Sequence, residues 1–117
     1  MPQPVSPVDR EQARHYRWGD VCDGWHLLER GDLSIIEERV PAGASEARHR
    51  HAVARQFFYI LEGDAVMELE GDRIALRAGQ GLEIPPGARH QFRNDSTTDV
   101  RFLVISMPTT RGDRVDT

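Results

Sequence analysis

One stretch of the sequence decides the fold and also holds the first candidate ligands. It reads Gly43-Ala44-Ser45-Glu46-Ala47-Arg48-His49-Arg50-His51-Ala52-Val53-Ala54-Arg55-Gln56. Successive side chains of a β-strand point to opposite faces, so His49 and His51 share one face and Arg50 points away. Two imidazoles on one face of a strand, followed by Gln56 where a carboxylate would be expected, indicate a metal site with one altered ligand.

A second stretch supplies a third histidine. It reads Gly79-Gln80-Gly81-Leu82-Glu83-Ile84-Pro85-Pro86-Gly87-Ala88-Arg89-His90-Gln91-Phe92-Arg93-Asn94. A lone histidine on a strand is usually a hydrogen-bonded surface or core residue. His90 is interpreted differently because it occurs with His49 and His51 in a pair of ordered motifs.

Together the two stretches resemble the two motifs of the cupin family. The first motif is a glycine, five residues, His-x-His, three or four residues, a glutamate, six residues and a glycine, which here is Gly63. The second motif is a glycine, five residues, Pro-x-Gly, two residues, a histidine, three residues and an asparagine. Every position fits except Gln56, which replaces the glutamate. With the flanking strands, the resemblance covers roughly Leu33 to Met107.

The resemblance implies an all-β fold, a double-stranded β-helix or jelly-roll barrel, with one mononuclear metal site in its mouth. It implies metal ligation by His49, His51 and His90, with Gln56 at the fourth-ligand position. The expected cofactor is one divalent transition metal ion, Fe, Mn, Ni, Zn or Cu, because three neutral imidazoles suit all of them. In this setting Gly63 is placed for a turn that needs a positive φ, as is Gly87.

Gln56 changes the charge of the predicted site. An amide oxygen is neutral and takes up no proton near pH 7, so a bound ion keeps its full positive charge and favours an anionic oxygen ligand. Three alternatives stay open: direct coordination by Gln56, a hydrogen bond from Gln56 to a bound water or ligand, and a degenerate site without metal. No catalytic residue is assigned, and proton transfer is left to an unidentified group such as Tyr59 or Glu38.

Strand alternation predicts which side chains surround the ion. Counting from Gln56 puts Phe58 and Ile60 on the pocket face, and counting from His90 adds Phe92. The predicted substrate pocket is therefore apolar with few acids. The remaining notable residues are assigned structural roles: Trp25, Met67, Leu76 and Phe102 as core, His15 and His26 as hydrogen-bonded histidines, Cys22 as a buried unreactive thiol, and Arg48, Arg50 and Arg55 as a solvated rim.

The rest of the chain follows an all-β pattern. Short β-branched or aromatic-rich runs, separated by turn signals, predict eight strands: Trp25–Leu28, Leu33–Val40, Gln56–Glu62, Ala65–Glu70, Arg73–Leu76, Gly81–Ile84, His90–Asn94 and Val100–Met107. We predict a barrel over residues 20–108 and a flexible tail over residues 109–117. Residues 1–19, with three prolines among the first seven residues, form a predicted arm that is irregular or contains a short helix.

Composition excludes several classes of partner. The 117 residues suit one domain, and the net charge is −4, with 15 basic residues, all arginine, interleaved among 19 acidic residues. The absence of a basic stripe argues against nucleic acid as a partner. The longest apolar run, Phe57 to Leu61, is far shorter than the roughly 20 residues of a membrane helix. The first residues lack signal-peptide features and there is a single cysteine, which predicts a cytoplasmic protein without a disulfide.

The apolar run also predicts assembly. Phe57 to Leu61 is apolar on both faces of its strand, whereas a half-exposed antiparallel strand alternates apolar with polar residues. A second subunit or the N-terminal arm is expected to cover the extra face, and we predict a homodimer. The alternative is a strand covered on both faces by the chain's own two sheets.

The leading functional hypothesis is a metal-dependent enzyme that acts on an anionic or enolisable small organic molecule. Dioxygenase-like chemistry on Fe(II) is favoured over Lewis-acid isomerisation or cyclisation on Zn(II) or Mn(II). The alternative is a non-catalytic cupin that binds a small ligand as a sensor, carrier or storage-like module. A metal-free epimerase fits poorly, because no histidine–aspartate pair accompanies the motifs.

Overall fold

The computed structural model of the chain describes residues 5–110 and 112–117, so the first four residues of the predicted arm and Arg111 of the predicted tail lie outside it. The described residues form eleven β-strands and no helix. The strands are β1 (Arg14–Trp18), β2 (Cys22–Glu29), β3 (Ser34–Val40), β4 (His49–His51), β5 (Arg55–Glu62), β6 (Asp64–Leu69), β7 (Asp72–Arg77), β8 (Gly81–Ile84), β9 (His90–Arg93), β10 (Val100–Met107) and β11 (Arg114–Asp116).

Two antiparallel sheets pack against each other around one core. The larger sheet has the strand order β1-β2-β3-β10-β5-β8, and the smaller has the order β11-β4-β9-β6-β7. Neighbours in each sheet are mostly distant in sequence, as in a jelly roll, where the chain crosses between the two sheets. The predicted all-β double-stranded β-helix is confirmed.

The predicted strands all occur, and two have the predicted bounds, β8 and β10. The turn glycines explain how the chain reverses between them. Gly63 and Gly87 have φ values of 92° and 83°, where glycine is favoured because it has no Cβ. At Gly63 a Cβ would lie only 2.5 Å from the carbonyl oxygen of Asp99, so side-chain bulk is excluded as well.

Both ends of the chain differ from the prediction. The helical alternative for the N-terminal arm is wrong, because β1 pairs with β2 along its whole length. The predicted tail contains β11, which pairs with β4 and sets Arg114 opposite His51. Each added strand supplies backbone partners to a strand that would otherwise be a sheet edge. Strand β1 forms a hairpin with the strand that follows it, whereas the pairing of β11 depends on a distant strand and leaves little local signal.

Aromatic side chains of the core pack against the predicted site. The rings of Phe92 and Phe102 stack with centroids 4.0 Å apart, and Phe58 stacks on Phe102 at 5.8 Å. The edge of Phe58 in turn meets the ring of His90 at 6.1 Å. Cys22 is fully buried, and burial raises the pKa of its thiol to about 11, as expected for an unreactive cysteine.

The apolar run on β5 has one covered and one open face. Phe58 and Ile60 point into the core, whereas Phe57 and Tyr59 are 39% and 37% exposed on the outside of the larger sheet. The chain's own second sheet therefore covers only the inner face. No helix of the length and hydropathy needed to cross a membrane occurs among the described residues.

Candidate metal centre

Three histidines from the smaller sheet meet in one buried cluster. His49 and His51 lie on β4, and His90 lies on β9 directly opposite His49 in the ladder. All three are buried, and one potential ligand nitrogen from each lies within 4.8 Å of the others. The His-x-His spacing places its two rings on one face of β4, as the sequence predicted. The ladder then adds the third ring.

Backbone carbonyls orient the three rings. The Nδ1 atom of His49 donates to Ala47 O at 2.8 Å, that of His90 to Ala88 O at 3.0 Å, and that of His51 to Asp113 O at 3.2 Å. A carbonyl oxygen only accepts, so each Nδ1 carries the proton and each Nε2 keeps a free lone pair. Metal-bound histidines usually have this arrangement, which fixes the ring and its tautomer.

The protonation state of the cluster also suits ligation. Burial lowers the pKa of His49 to about 4 and also holds the pKa of His51 and of His90 below the usual value. Removal of water disfavours the charged imidazolium. Near pH 7 the three imidazoles are therefore neutral, which is the form that binds a metal ion.

Gln56 approaches the cluster from the larger sheet. Its Nε2 donates to Ser106 Oγ at 3.2 Å, so its other amide atom, Oε1, is the one left for a ligand. Gln56 Oε1 and His90 Nε2 are two of the five buried side-chain polar atoms that lack a hydrogen-bond partner among the described residues. An unpaired buried polar atom destabilises a fold by roughly 1–3 kcal/mol, which a bound ion would relieve. Three imidazole nitrogens and one amide oxygen fit a divalent transition metal.

The cluster opens into a cavity of about 230 Å³ between the two sheets. Phe58 lines the cavity, as predicted from alternation along β5. Ile60 and Phe92 are fully buried members of the core and are not among the described residues that line it. Tyr16 and Trp18, both from β1, form part of the wall.

The expectation of few acids in the pocket is wrong. Two carboxyl side chains, Glu38 and Glu46, line the cavity. The side chain of Glu46 is only 11% exposed, and its Oε1 accepts a hydrogen bond from the Phe92 amide at 2.9 Å. Burial raises the pKa of Glu38 to about 7 and the pKa of Glu46 to about 8. Near neutral pH both carboxyl groups can therefore accept and release protons.

Comparison with known proteins places this geometry in a family. Residues 36–106, more than half of the chain, match the family described as the cupin domain. The chain belongs to the cupin family. The matched region contains the three histidines and Gln56, and the cupin is thus identified through the same two motifs that suggested it.

Two curated relatives and one solved structure are similar to this chain. Protein SchB of Streptomyces halstedii is 34% identical in an alignment of length 110, which covers 82% of this chain and 78% of SchB. Polyketide synthase CurC of Streptomyces cyaneus is 38% identical in an alignment of length 92, which covers 67% of this chain and 60% of CurC. The structure of the polyketide cyclase RemF from Streptomyces resistomycificus has a TM-score of 0.79 at 21% identity, covering 91% of this chain and 81% of RemF. That likeness concerns the fold alone.

The C-terminal segment of the cupin contributes to the site, which the sequence did not suggest. The carboxylate of Asp113 accepts hydrogen bonds from the amides of Ala52, Val53 and Ala54, the loop that joins the His-x-His strand to Gln56. The carbonyl of Asp113 orients His51, and Arg114 lines the cavity. Residues 112–117 carry no hydrophobic alternation that would reveal this role.

Apart from Glu38, the remaining residues considered in the sequence analysis lie outside the cavity. His15 pairs with Asp23 at 2.8 Å, and His26 stacks on Tyr16 with centroids 4.8 Å apart. Arg48 pairs with Glu68, and Arg55 pairs with Glu83. Tyr59, one of the two groups considered for proton transfer, lies on the outer face of the larger sheet, whereas the other, Glu38, lies in the cavity.

Proposed function

We propose that this cupin binds one divalent transition metal ion through the Nε2 atoms of His49, His51 and His90 and the Oε1 atom of Gln56. We further propose that it is an enzyme that moves a proton next to a carbonyl group of an anionic or enolisable small molecule. The observation that carries the proposal is the cluster of three buried histidines beside the unpaired Oε1 atom of Gln56, at a cavity that is also lined by carboxyl groups suited to proton transfer.

Each part of the cavity has a role in such a reaction. When bound, the ion supplies Lewis-acid polarisation of a carbonyl or enolate oxygen. Gln56 is neutral and adds no negative charge to the ligands, so an anionic oxygen of the substrate would balance the positive charge of the ion. Phe58 presents an apolar wall that excludes water, and a cavity carboxyl group takes a proton from carbon and returns it to a different atom.

The size of the cavity limits what enters it. Its volume of about 230 Å³ is below the roughly 300–1,000 Å³ of sites for drug-sized ligands. It therefore holds the reacting end of a substrate. A groove of about 670 Å³ shares the residues Tyr16, Ile36 and Thr110 with the cavity and provides room for the remainder.

The acid–base groups of the cavity favour isomerisation or cyclisation. The relatives include both chemistries, since quercetin 2,3-dioxygenase of Bacillus subtilis is 32% identical over 66 residues and other relatives are named for polyketide synthesis. CurC is named as a polyketide synthase, and polyketides are molecules with several enolisable carbonyl groups. Acid–base side chains serve enolisation directly. Dioxygenase-type chemistry, which the motif alone favoured, requires dioxygen as a second reactant at the ion, whereas isomerisation needs only the substrate and a base.

Deuterium exchange tests the proposal. We expect the zinc-loaded cupin to accelerate exchange of the C3 hydrogens of 2-oxobutyrate, an anionic and enolisable 2-oxo acid, about 100-fold or more over buffer. Proton NMR in D₂O measures the rate. The same protein stripped with a chelator serves as the control and is expected to show the buffer rate.

Two results would contradict the proposed enzyme. Tight binding of 2-oxo acids and diketones without exchange would instead favour a ligand-binding or sensor cupin. Oxygen uptake by the iron-loaded protein with diketones, in the absence of exchange by the zinc form, would favour a dioxygenase.

We also propose that the cupin is a homodimer that buries the open face of β5. Phe57 and Tyr59 lie exposed there, beside half-buried Leu103 and Ile105 on β10. We expect light scattering to give twice the mass of one chain, and Phe57→Asp to give a monomer because a charge would lose hydration in the interface. The control, Val8→Asp, changes an exposed valine outside the sheets and is expected to remain dimeric. A monomeric wild-type protein would refute the dimer.

A further inference from the structure

We infer that Glu38 is the acid–base residue of the proposed reaction and that Tyr16 is the residue that positions it, an inference that rests on the proposed function. The hydroxyl of Tyr16 donates to Glu38 Oε2 at 2.8 Å inside the cavity. This hydrogen bond fixes one carboxyl oxygen and leaves the other, Oε1, to exchange a proton with a ligand.

The sheet register explains how a tyrosine on β1 reaches a glutamate on β3. Tyr16 lies opposite Gly24, and Gly24 lies opposite Glu38, so the three residues form one row across three strands. Neighbouring strands are about 4.8 Å apart, and the ring must therefore cross the middle strand to reach the carboxyl group. The ring crosses at a position that has no side chain.

Gly24 is required for this contact. A Cβ on Gly24 would lie 2.2 Å from Tyr16 Cζ and 2.5 Å from the Tyr16 hydroxyl oxygen. Glycine inside a strand weakens the strand and often marks a place where another group approaches closely. Here the close neighbour is the ring that holds Glu38.

Glu38 is better placed for proton transfer than the second carboxyl group. Glu46 Oε1 accepts a hydrogen bond from the backbone amide of Phe92. The same oxygen lies 3.9 Å from Nδ1 of His49, which is a proposed metal ligand. Glu46 therefore ties the loop before β4 to β9. Glu38 makes its hydrogen bond to a side chain and stands on the opposite sheet from the three histidines.

In the proposed reaction, Glu38 moves one proton between two atoms of the substrate. Glu38 Oε1 takes a proton from the carbon next to the carbonyl, the C–H electron pair moves into the enolate, and return of the proton to a different atom completes an isomerisation. Burial beside Glu38 raises the pKa of Tyr16 far above its usual value, so the hydroxyl stays protonated and continues to donate. The other ionisable groups that interact with Glu38 are Cys22, Glu46 and Arg114.

The test uses the zinc-loaded full chain and the 2-oxobutyrate exchange assay. We expect Glu38→Gln to lower kcat for exchange about 100-fold or more, with little change in KM, because the amide keeps the shape of the side chain and loses the base. Tyr16→Phe is expected to lower kcat about 10-fold and to shift the acid limb of the pH profile upward, since a carboxylate that loses a donor is a stronger base.

Two further variants show whether Tyr16 acts through Glu38 or independently of it. Gly24→Ala is expected to reproduce Tyr16→Phe, because both remove the hydroxyl from Glu38. Combining Tyr16→Phe with Glu38→Gln is expected to add no further loss, since the tyrosine acts only through the carboxyl group. If Gly24→Ala does not fold, Tyr16→Phe and the double variant carry the test.

Matched controls come from the outer face of the same sheet. Tyr59→Phe and Glu37→Gln make the same chemical changes outside the cavity and are expected to exchange at the wild-type rate. Zinc content and melting temperature are measured for every variant. Wild-type exchange that persists in Glu38→Gln, or a full additional loss from Tyr16→Phe in that background, overturns the inference alone. Absence of metal-dependent exchange in the wild type overturns the proposed function, and this inference with it.

Discussion

Replacing His49 with alanine is expected to abolish stoichiometric metal binding. The His49 ring is central to the cluster, with its centroid 4.9 Å from that of His51 and 4.4 Å from that of His90. Mutation of residues that only orient a metal ligand costs about 10–100-fold in affinity, and loss of the ligand itself should cost more. The ring faces the cavity, so the strands around it are expected to keep their pairing.

Metal analysis by mass spectrometry measures this effect on protein purified without chelators or a nickel column. We expect one ion per wild-type chain and a small fraction of that for His49→Ala. His15→Ala is the matched control, because His15 pairs with Asp23 away from the cavity, and its metal content should equal that of the wild type. Substoichiometric metal that is unchanged by His49→Ala would mean that the histidines are not ligands.

Replacing Gln56 with glutamate is expected to change metal and anion affinity in opposite directions. A carboxylate at this position would bring a negative charge to the unpaired Oε1 position, and we expect metal retention to rise at least 10-fold. Anionic ligands should bind more weakly by a similar factor, because the net charge of the centre falls and Glu38 and Glu46 already line the cavity. The side chain fits, since the Ser106 hydroxyl that now accepts from Gln56 can rotate and donate to a carboxylate.

Two measurements on the same protein test this prediction. Release of zinc to a competing chelator reports metal retention, and calorimetric titration with oxalate reports anion affinity. Gln12→Glu adds the same charge at an exposed position near the N-terminal end and should leave both quantities unchanged. Weaker metal retention together with tighter oxalate binding would show that Gln56 does not act as a ligand in the proposed way.

The part of the fold that follows local rules was predictable from the sequence. Strands β8 and β10 appear with the predicted bounds because apolar runs between turn residues specify short strands. Gly63 and Gly87 have the predicted positive φ because each stands at a turn where other residues are strained. The gathering of His49, His51 and His90 was predictable for a similar reason, since each histidine belongs to a motif with fixed spacing.

The pairing of strands at both ends of the chain was not predictable in this way. Strand β1 brings Tyr16 to the cavity, and β11 brings Arg114 and the carbonyl that orients His51. Both strands are short. Strand β1 pairs in a hairpin with the strand that follows it, and β11 pairs with a strand far along the chain. Propensity and alternation describe a segment and not its neighbours.

The sequence alone was enough to identify the family motifs, the buried strands and the replacement of a carboxylate by Gln56. The packing of the two sheets brings Glu38 and Glu46 to the cavity wall, which restores acid–base groups to a site that position 56 leaves without one. Strand pairing within the larger sheet brings Tyr16 to Glu38 across Gly24. Two features of the fold select the side chains that share a cavity: the register of the strands and the packing of one sheet against the other. Both bring together residues that are far apart in the chain.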